Sequence, residues 1–206
     1  MAFNEESAHL QAGPGQEEGA SENGARLRTT PAKYVSGKKD EVNGKYVDPN
    51  GIPDELKAWS QWVGWCFVWR EDTKREDGGS WTKVLKNPRT GGNGSPTNPK
   101  TWGSFDEALQ AMKRFGFDGI GFVLTKDDPF VVIDLDDCLT GDPGYVLNIM
   151  EMFNSYTEVS PSGNGVHIFL KGKLPEWTRN FNKKNKVEVY DKKRFVTVTG
   201  WMRSVL

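Results

Sequence analysis

The 206-residue sequence predicts an α/β fold of the α+β kind, a mixed sheet covered by helices. Three observations carry that reading. Residues 119–125 (GIGFVLT) and 130–136 (FVVIDLD) are short apolar runs rich in β-branched side chains, the pattern of buried strands. Phe105, Ala108, Leu109 and Met112 recur at the spacing of one helical face. Glycine, proline and asparagine punctuate the intervals between such runs.

In chain order, residues 1–50 are rich in Gly, Glu, Ser, Lys and Asn and hold none of the eight tryptophans. Their apolar residues are scattered without period. Such a segment buries too little apolar surface to offset chain entropy, so 1–50 is expected to be a disordered tail and 51–206 the folded domain. Pro53 then opens a short helix in PDELKAWSQW. Residues 62–69 (WVGWCFVW) carry aromatics at alternate positions, as a strand does. REDTKREDGGSW reads as a charged hairpin turn. The stretch 82–102, TKVLKNPRTGGNGSPTNPKTW, reads as loop throughout, and loops of that length commonly bind something. Ser104 and Glu107 have the spacing of a capping box, and Gly116 ends the helix between. Asp142 and Pro143 begin a second helix with Val146, Ile149, Met150 and Phe153 on its buried side. VHIFLKG, KVEVYD and RFVTVTG follow as three more strands.

Composition excludes several classes. The two cysteines, Cys66 and Cys138, are far apart, which argues against a disulfide framework or a zinc site and for a reduced, cytoplasmic setting. The first residues show no basic segment followed by an apolar one, so no secretory signal is expected. No apolar run reaches membrane-spanning length. Net charge is −1, but residues 171–206 hold ten Lys and Arg against three acids, a local +7 that suits a polyphosphate or a nucleic-acid strand.

Three segments carry the chemistry. In FVVIDLDD, strand alternation sends Val131, Ile133 and Leu135 to one face and Val132, Asp134 and Asp136 to the other. Two carboxylates so close repel unless a cation sits between them, and oxygen donors of this kind suit hard divalent ions such as Mg²⁺. The plainer alternative is a strand ending at Ile133 and a solvated acidic turn. In SPSGNGVHIFLKG, a loop with Gly163 and Gly165 can turn backbone N–H groups toward an anion, with the hydroxyls of Ser160 and Ser162 beside it and His167 at its exit. The alternative is a tight turn followed by a half-buried histidine. In KVEVYD, Val187 and Val189 pack inward while Glu188 and Tyr190 face the other way, so Glu188 is placed to complete a carboxylate set or simply to meet solvent. Lys83 and Arg194 are further candidates for nucleotide-phosphate contact.

The order of these segments resembles the archaeo-eukaryotic primase superfamily, and most of all the primase-polymerase domain of phages and plasmids. The likeness runs from about Trp59 to Trp201 and includes KVLKNPRTG, NPKTWGSFDEAL, GIGFVLT, VVIDLDDC, YTEVSPSGNGVHIFLKG and VEVYDKKRFVTVTG. It implies an RRM-like catalytic sheet fused to a smaller N-terminal α/β unit. It also implies template-directed nucleotide addition, with primer synthesis in many members, using two divalent metals (Mg²⁺ or Mn²⁺) on Asp134, Asp136 and Glu188. His167 would contact the phosphates of the incoming NTP or dNTP. Single-stranded DNA is the implied template, and a replicative helicase the implied partner. Two other readings stay open. VVIDLDDCLTGD resembles the nucleophile loop of a haloacid-dehalogenase-type phosphatase, though Cys138 stands where Thr or Val is usual. An inactive RRM-like module would instead display Phe169 and Tyr190 to single-stranded nucleic acid.

Overall fold

The computed structural model describes residues 47–72, 74, 78–140, 143–176, 181, 182 and 186–203. Residues 1–46 of the expected tail, and Asp142 of the expected helix start, lie outside the described residues. The elements are α1 (Asp54–Lys57), β1 (Trp62–Glu71), β2 (Gly79–Lys86), α2 (Phe105–Phe115), β3 (Gly119–Leu124), β4 (Phe130–Leu135), α3 (Pro143–Phe153), β5 (Thr157–Val159), β6 (Val166–Lys171), β7 (Phe181–Asn182), β8 (Val187–Tyr190) and β9 (Arg194–Val198). They form a four-stranded sheet, β2-β1-β3-β9, and a five-stranded sheet, β5-β6-β4-β8-β7.

The second sheet is the RRM-like unit. Helix α3 carries the chain from β4 to β5, so the two strands run the same way, and β6 lies between them antiparallel to both. The mixed sheet is thus realised as a split β–α–β arrangement in which every hydrogen-bonded pair is antiparallel. The smaller unit is not contiguous in sequence. Its edge strand is β9, which pairs antiparallel with β3 near the end of the chain, rather than extending the RRM-like sheet.

One expectation needs correction. Residues 82–86 were read as loop, yet they are the second half of β2, paired with β1 from Gly64↔Lys86 out to Glu71↔Gly79. Polar composition argued against a strand there. The pairing prevails because β1 is long and supplies a partner for every residue of β2, and Leu85 is buried. The remaining stretch, 87–103, is irregular apart from a short 3-10 turn at Pro99–Thr101.

Helix α2 forms as its caps dictate. Ser104 Oγ accepts from the Glu107 N–H, and Glu107 returns the bond to the Ser104 N–H at 2.8 Å, while Gly116 ends α2 in the left-handed conformation. The β-strand period then sorts the second sheet into two faces. Val131, Ile133, Leu135, Val166, Ile168 and Leu170 pack on Val146, Met150 and Phe153 of α3. Phe130, Val132, Phe169 and Tyr190 pack instead against Ile120, Phe122, Leu124, Val196 and Val198 of the first sheet. Trp62 sits at the middle of that contact, edge-on to Phe105 at 4.9 Å and to Phe122 at 5.3 Å. No helix among the described residues is long and apolar enough to cross a membrane.

This inter-sheet layer predicts the response to truncation. Phe122 is fully buried and touches both the Trp62 and Phe130 rings. Phe122→Ala should lower unfolding free energy by about 3–5 kcal/mol, read from the midpoint shift in urea denaturation.

Candidate active site

Three of the candidate side chains lie in one registered row. Asp134 on β4 is registered with His167 on β6 and with Glu188 on β8, and His167 is registered in turn with Glu158 on β5. Residues directly opposite on neighbouring strands share a face. Four adjacent strands therefore present Glu158, His167, Asp134 and Glu188 side by side on the face that meets the first sheet. The next row on that face is apolar: Phe169, Val132 and Tyr190 are registered across β6, β4 and β8, with the Tyr156 ring 5.4 Å from Phe169. The charged row thus stands at the open end of a sealed hydrophobic layer. Phe169 is fully buried and Tyr190 nearly so, which removes the alternative in which those two rings are displayed to nucleic acid.

Glu158 is the residue that sequence reasoning missed. Its carboxylate is fully buried, and every partner it has is a donor. Oε2 accepts from the Tyr156 hydroxyl at 2.6 Å and from the backbone N–H groups of Thr199 at 3.0 Å and Gly200 at 2.8 Å. Oε1 faces His167 Nδ1 at 3.1 Å. Because Glu158 accepts all these bonds, His167 carries its proton on Nδ1, and Nε2 is turned to Asp134 Oδ1 at 3.7 Å. Burial, followed by the Glu158 charge and its hydrogen bond, pushes the Tyr156 hydroxyl well above its usual pKa. The available signal was a lone acid between β-branched residues in TEV, one registered position from His167.

The acids at the other end of the row are crowded. Asp136 follows two residues after Asp134, and its N–H donates to Lys186 O at 3.0 Å. Burial first, then the charges of Asp134, Glu188 and Asp137, raise its carboxyl pKa, with Lys83 opposing. Glu188 Oε2 accepts from the Tyr190 hydroxyl and lies 3.7 Å from Arg194 Nη2, while that guanidinium stacks 4.6 Å over the Tyr190 ring. Arg194 is therefore already engaged with Glu188 at the rim. Lys83 is exposed by surface area, yet protein surrounds its ammonium on most sides. That desolvation lowers its pKa, and the charges of Asp134 and Asp136 oppose the shift. Lys83 thus sits within the field of both acids, although it comes from the other sheet.

The loop before β6 is shaped mainly by packing. Gly163 has φ 75°, in the left-handed region, and its N–H donates to Ser160 O at 2.9 Å, while Asn164 N–H donates to Ser162 Oγ at 3.3 Å. Ser160 and Ser162 bond to each other at 3.0 Å. The Ser160 N–H also donates to Gly165 O at 2.9 Å, so three of the loop's amides are used within it. A Cβ on Gly165 would stand 2.5 Å from Leu135 O, so glycine there lets the loop lie against the end of β4 beside Asp136. The Cys138 thiol is pushed up to about 11 by burial and is not a nucleophile at neutral pH.

Asp134 and Glu188 are registered on one face, Asp136 follows at the end of β4, and all three offer hard oxygen donors. The donor chemistry fits a divalent cation. Among the described residues, however, no three His, Cys, Asp or Glu side chains already converge as a ligand set. Glu188 is turned instead to Tyr190 and Arg194.

A DNA primase-polymerase of Nitratiruptor phage NrS-1 is 38% identical over 152 residues, which is 70% of this chain and 20% of that protein. The chain thus spans about a fifth of the length of the curated relative it matches. No protein-family model matches.

Two outcomes follow from the site's electrostatics. Glu158→Ala leaves four donors without their acceptor and should cost on the order of 3–5 kcal/mol, read by chemical denaturation. A raised native pKa means that the ionised Asp136 destabilises the fold above that pKa. Asp136→Asn should therefore raise the melting temperature at neutral pH without added metal, and the gain should vanish as pH falls toward 3.8 and the wild-type carboxyl protonates.

Proposed function

Because this chain belongs to the phage-type primase-polymerase domain family, we propose that it is a template-directed nucleotidyltransferase, a DNA polymerase and primase of phage or plasmid replication. The observation that carries this reading is the registered row of Glu158, His167, Asp134 and Glu188 at the open end of the inter-sheet layer, in a chain 38% identical to a named DNA primase-polymerase. The substrates are an NTP or dNTP and a single-stranded DNA template. A replicative helicase is the proposed partner in replication.

Asp134, Asp136 and Glu188 are the residues that would hold Mg²⁺ or Mn²⁺. Such ions, when bound, would activate the attacking 3′-hydroxyl and neutralise charge on the leaving pyrophosphate. Glu188 must leave Tyr190 and Arg194 to join the set, and its departure frees the Arg194 guanidinium for a phosphate. Lys83 approaches from the first sheet, where its ammonium can align the triphosphate and balance its charge. Nδ1 of His167 is taken by Glu158, so a contact with the nucleotide's phosphates would use Nε2, which donates only when it too carries a proton. The Ser160 and Ser162 hydroxyls and the turn made possible by Gly163 and Gly165 flank the same end of β4. A wall of buried aromatic and aliphatic side chains beneath the row excludes water from one side, which strengthens every charge interaction above it.

The phosphatase reading finds no support in this arrangement. Asp134 is one member of a row shared with His167 and Glu188, and the buried Cys138 thiol occupies the position after the acids where that chemistry uses a hydroxyl or an aliphatic group.

The test is primer extension and de novo priming on a single-stranded template with Mg²⁺ or Mn²⁺. Asp134→Ala and Asp136→Ala should abolish nucleotide incorporation while oligonucleotide binding, measured by fluorescence anisotropy, persists. His167→Ala should raise the KM for nucleotide more than it alters template affinity. Full incorporation by either aspartate variant would remove the site assignment.

A further inference from the structure

The hairpin of β1 and β2 extends past the sheet to which it belongs. Strand β3 pairs only with Trp62–Trp65, and Cys66, Phe67 and Leu85 are still held by neighbouring groups, so the outer part of the hairpin, Val68–Glu71 with Gly79–Thr82, extends as a two-stranded arm. Burial falls along β1 accordingly, from buried at its start to exposed at its end. An isolated hairpin gains little from apolar surface facing water. Yet this arm carries two indoles in the open: Trp69 is 41% and Trp81 51% exposed. They are directly opposite one another and meet edge to face, with centroids 5.5 Å apart.

Strand alternation fixes what shares their face. Trp65, Phe67 and Trp69 lie on one side of β1, and Trp81, Lys83 and Leu85 on the matching side of β2. The Trp65 and Phe67 rings are 5.1 Å apart, and Lys83 Nζ stands 5.6 Å over the Trp65 ring. Phe67 and Lys83 form the registered pair just inside Trp69 and Trp81, about 7 Å along the strands. Lys83 is the cation that feels Asp134 and Asp136. Lys83 therefore joins the face bearing the two open indoles to the field of the carboxylates. Glu71, opposite Gly79, shares that face at its outer end, away from Lys83. Lys83 thus stands beside the rings as a cation that a phosphate backbone passing along the arm can meet.

We propose that the Trp69–Trp81 pair is a stacking platform for unpaired bases of a single nucleic-acid strand led along the β1–β2 arm toward Lys83. Flat aromatic faces beside a cation, next to acids reserved for other chemistry, are the elements by which proteins hold single strands without reading their sequence. A protein surface would need more continuous apolar area than two rings on a narrow ribbon. The inference rests on the polymerase reading only for which strand is bound, and binding is measured without catalysis.

The experiment uses the full 206-residue chain and a labelled single-stranded oligothymidylate, followed by fluorescence anisotropy without nucleotide. Trp69→Ala and Trp81→Ala should each weaken binding by about ten-fold, in line with the loss of one stacked base. Trp81→Phe should retain most of the affinity, since a smaller ring still stacks. Melting temperatures of all three should match wild type, because neither ring is buried. Unchanged oligonucleotide affinity in both alanine variants overturns the proposal, as does an equal loss in Trp81→Phe. So does a change in oligomeric state, by sedimentation, in place of a change in strand binding. If the alanine variants lose binding but the wild type incorporates no nucleotide, the platform stands and the polymerase reading falls.

Discussion

A carboxylate with no exposure to water is the constraint on which the rest of this structure depends. Burying Glu158 without partners would cost several kcal/mol, so the fold must bring donors to it. Those donors come from three places: the Tyr156 hydroxyl two residues earlier, the His167 imidazole on the neighbouring strand, and two backbone N–H groups after β9. The last pair follows directly on a strand of the other sheet. One buried charge thus couples the RRM-like sheet to the smaller unit and fixes the histidine at once. The same turn receives the start of the described chain, where the Asp48 N–H donates to Thr199 O at 2.7 Å and Gly200 fits beneath Asp48 only because it lacks a Cβ.

The second sheet divides its work by distance along the strands. One face is apolar throughout and holds α3. The other begins apolar, against the first sheet, and turns polar in the next row, where Glu158 and His167 are still buried and Asp134 and Glu188 are partly open. That boundary falls between Val132 and Asp134. Below it, side chains contribute to stability by excluding water. Above it, burial first and the neighbouring acids second raise the Asp136 carboxyl. Sites that hold unfavourable charge in the resting protein are those where a bound cation or phosphate makes the largest difference.

Much of the fold was legible in the sequence because its signals are local. Ser104, Glu107 and Gly116 bound α2 as their types dictate, and FVVIDLD alternates as a strand with its acids on one face. The candidate residues Asp134, Glu188 and His167 were placed correctly relative to their own strands by period alone. Glu158 was overlooked because an acid in a strand is ordinarily a solvent-facing one, and its burial depends on a turn some 40 residues away. Residues 82–86 were taken for loop because their polarity is compatible with strand only when a long partner is present.

The sequence by itself determined the elements with strong local signals, α2, β3, β4, β6, β8 and β9, and which face their side chains take, since both follow from backbone sterics and a period of two or 3.6. Only the tertiary structure decided that β9 joins the first sheet, that Lys83 reaches the field of Asp134 and Asp136, and that four strands align in register to set Glu158, His167, Asp134 and Glu188 in a row. Register and sheet membership are settled by hydrogen bonds and packing between segments far apart in the chain. No local preference encodes them.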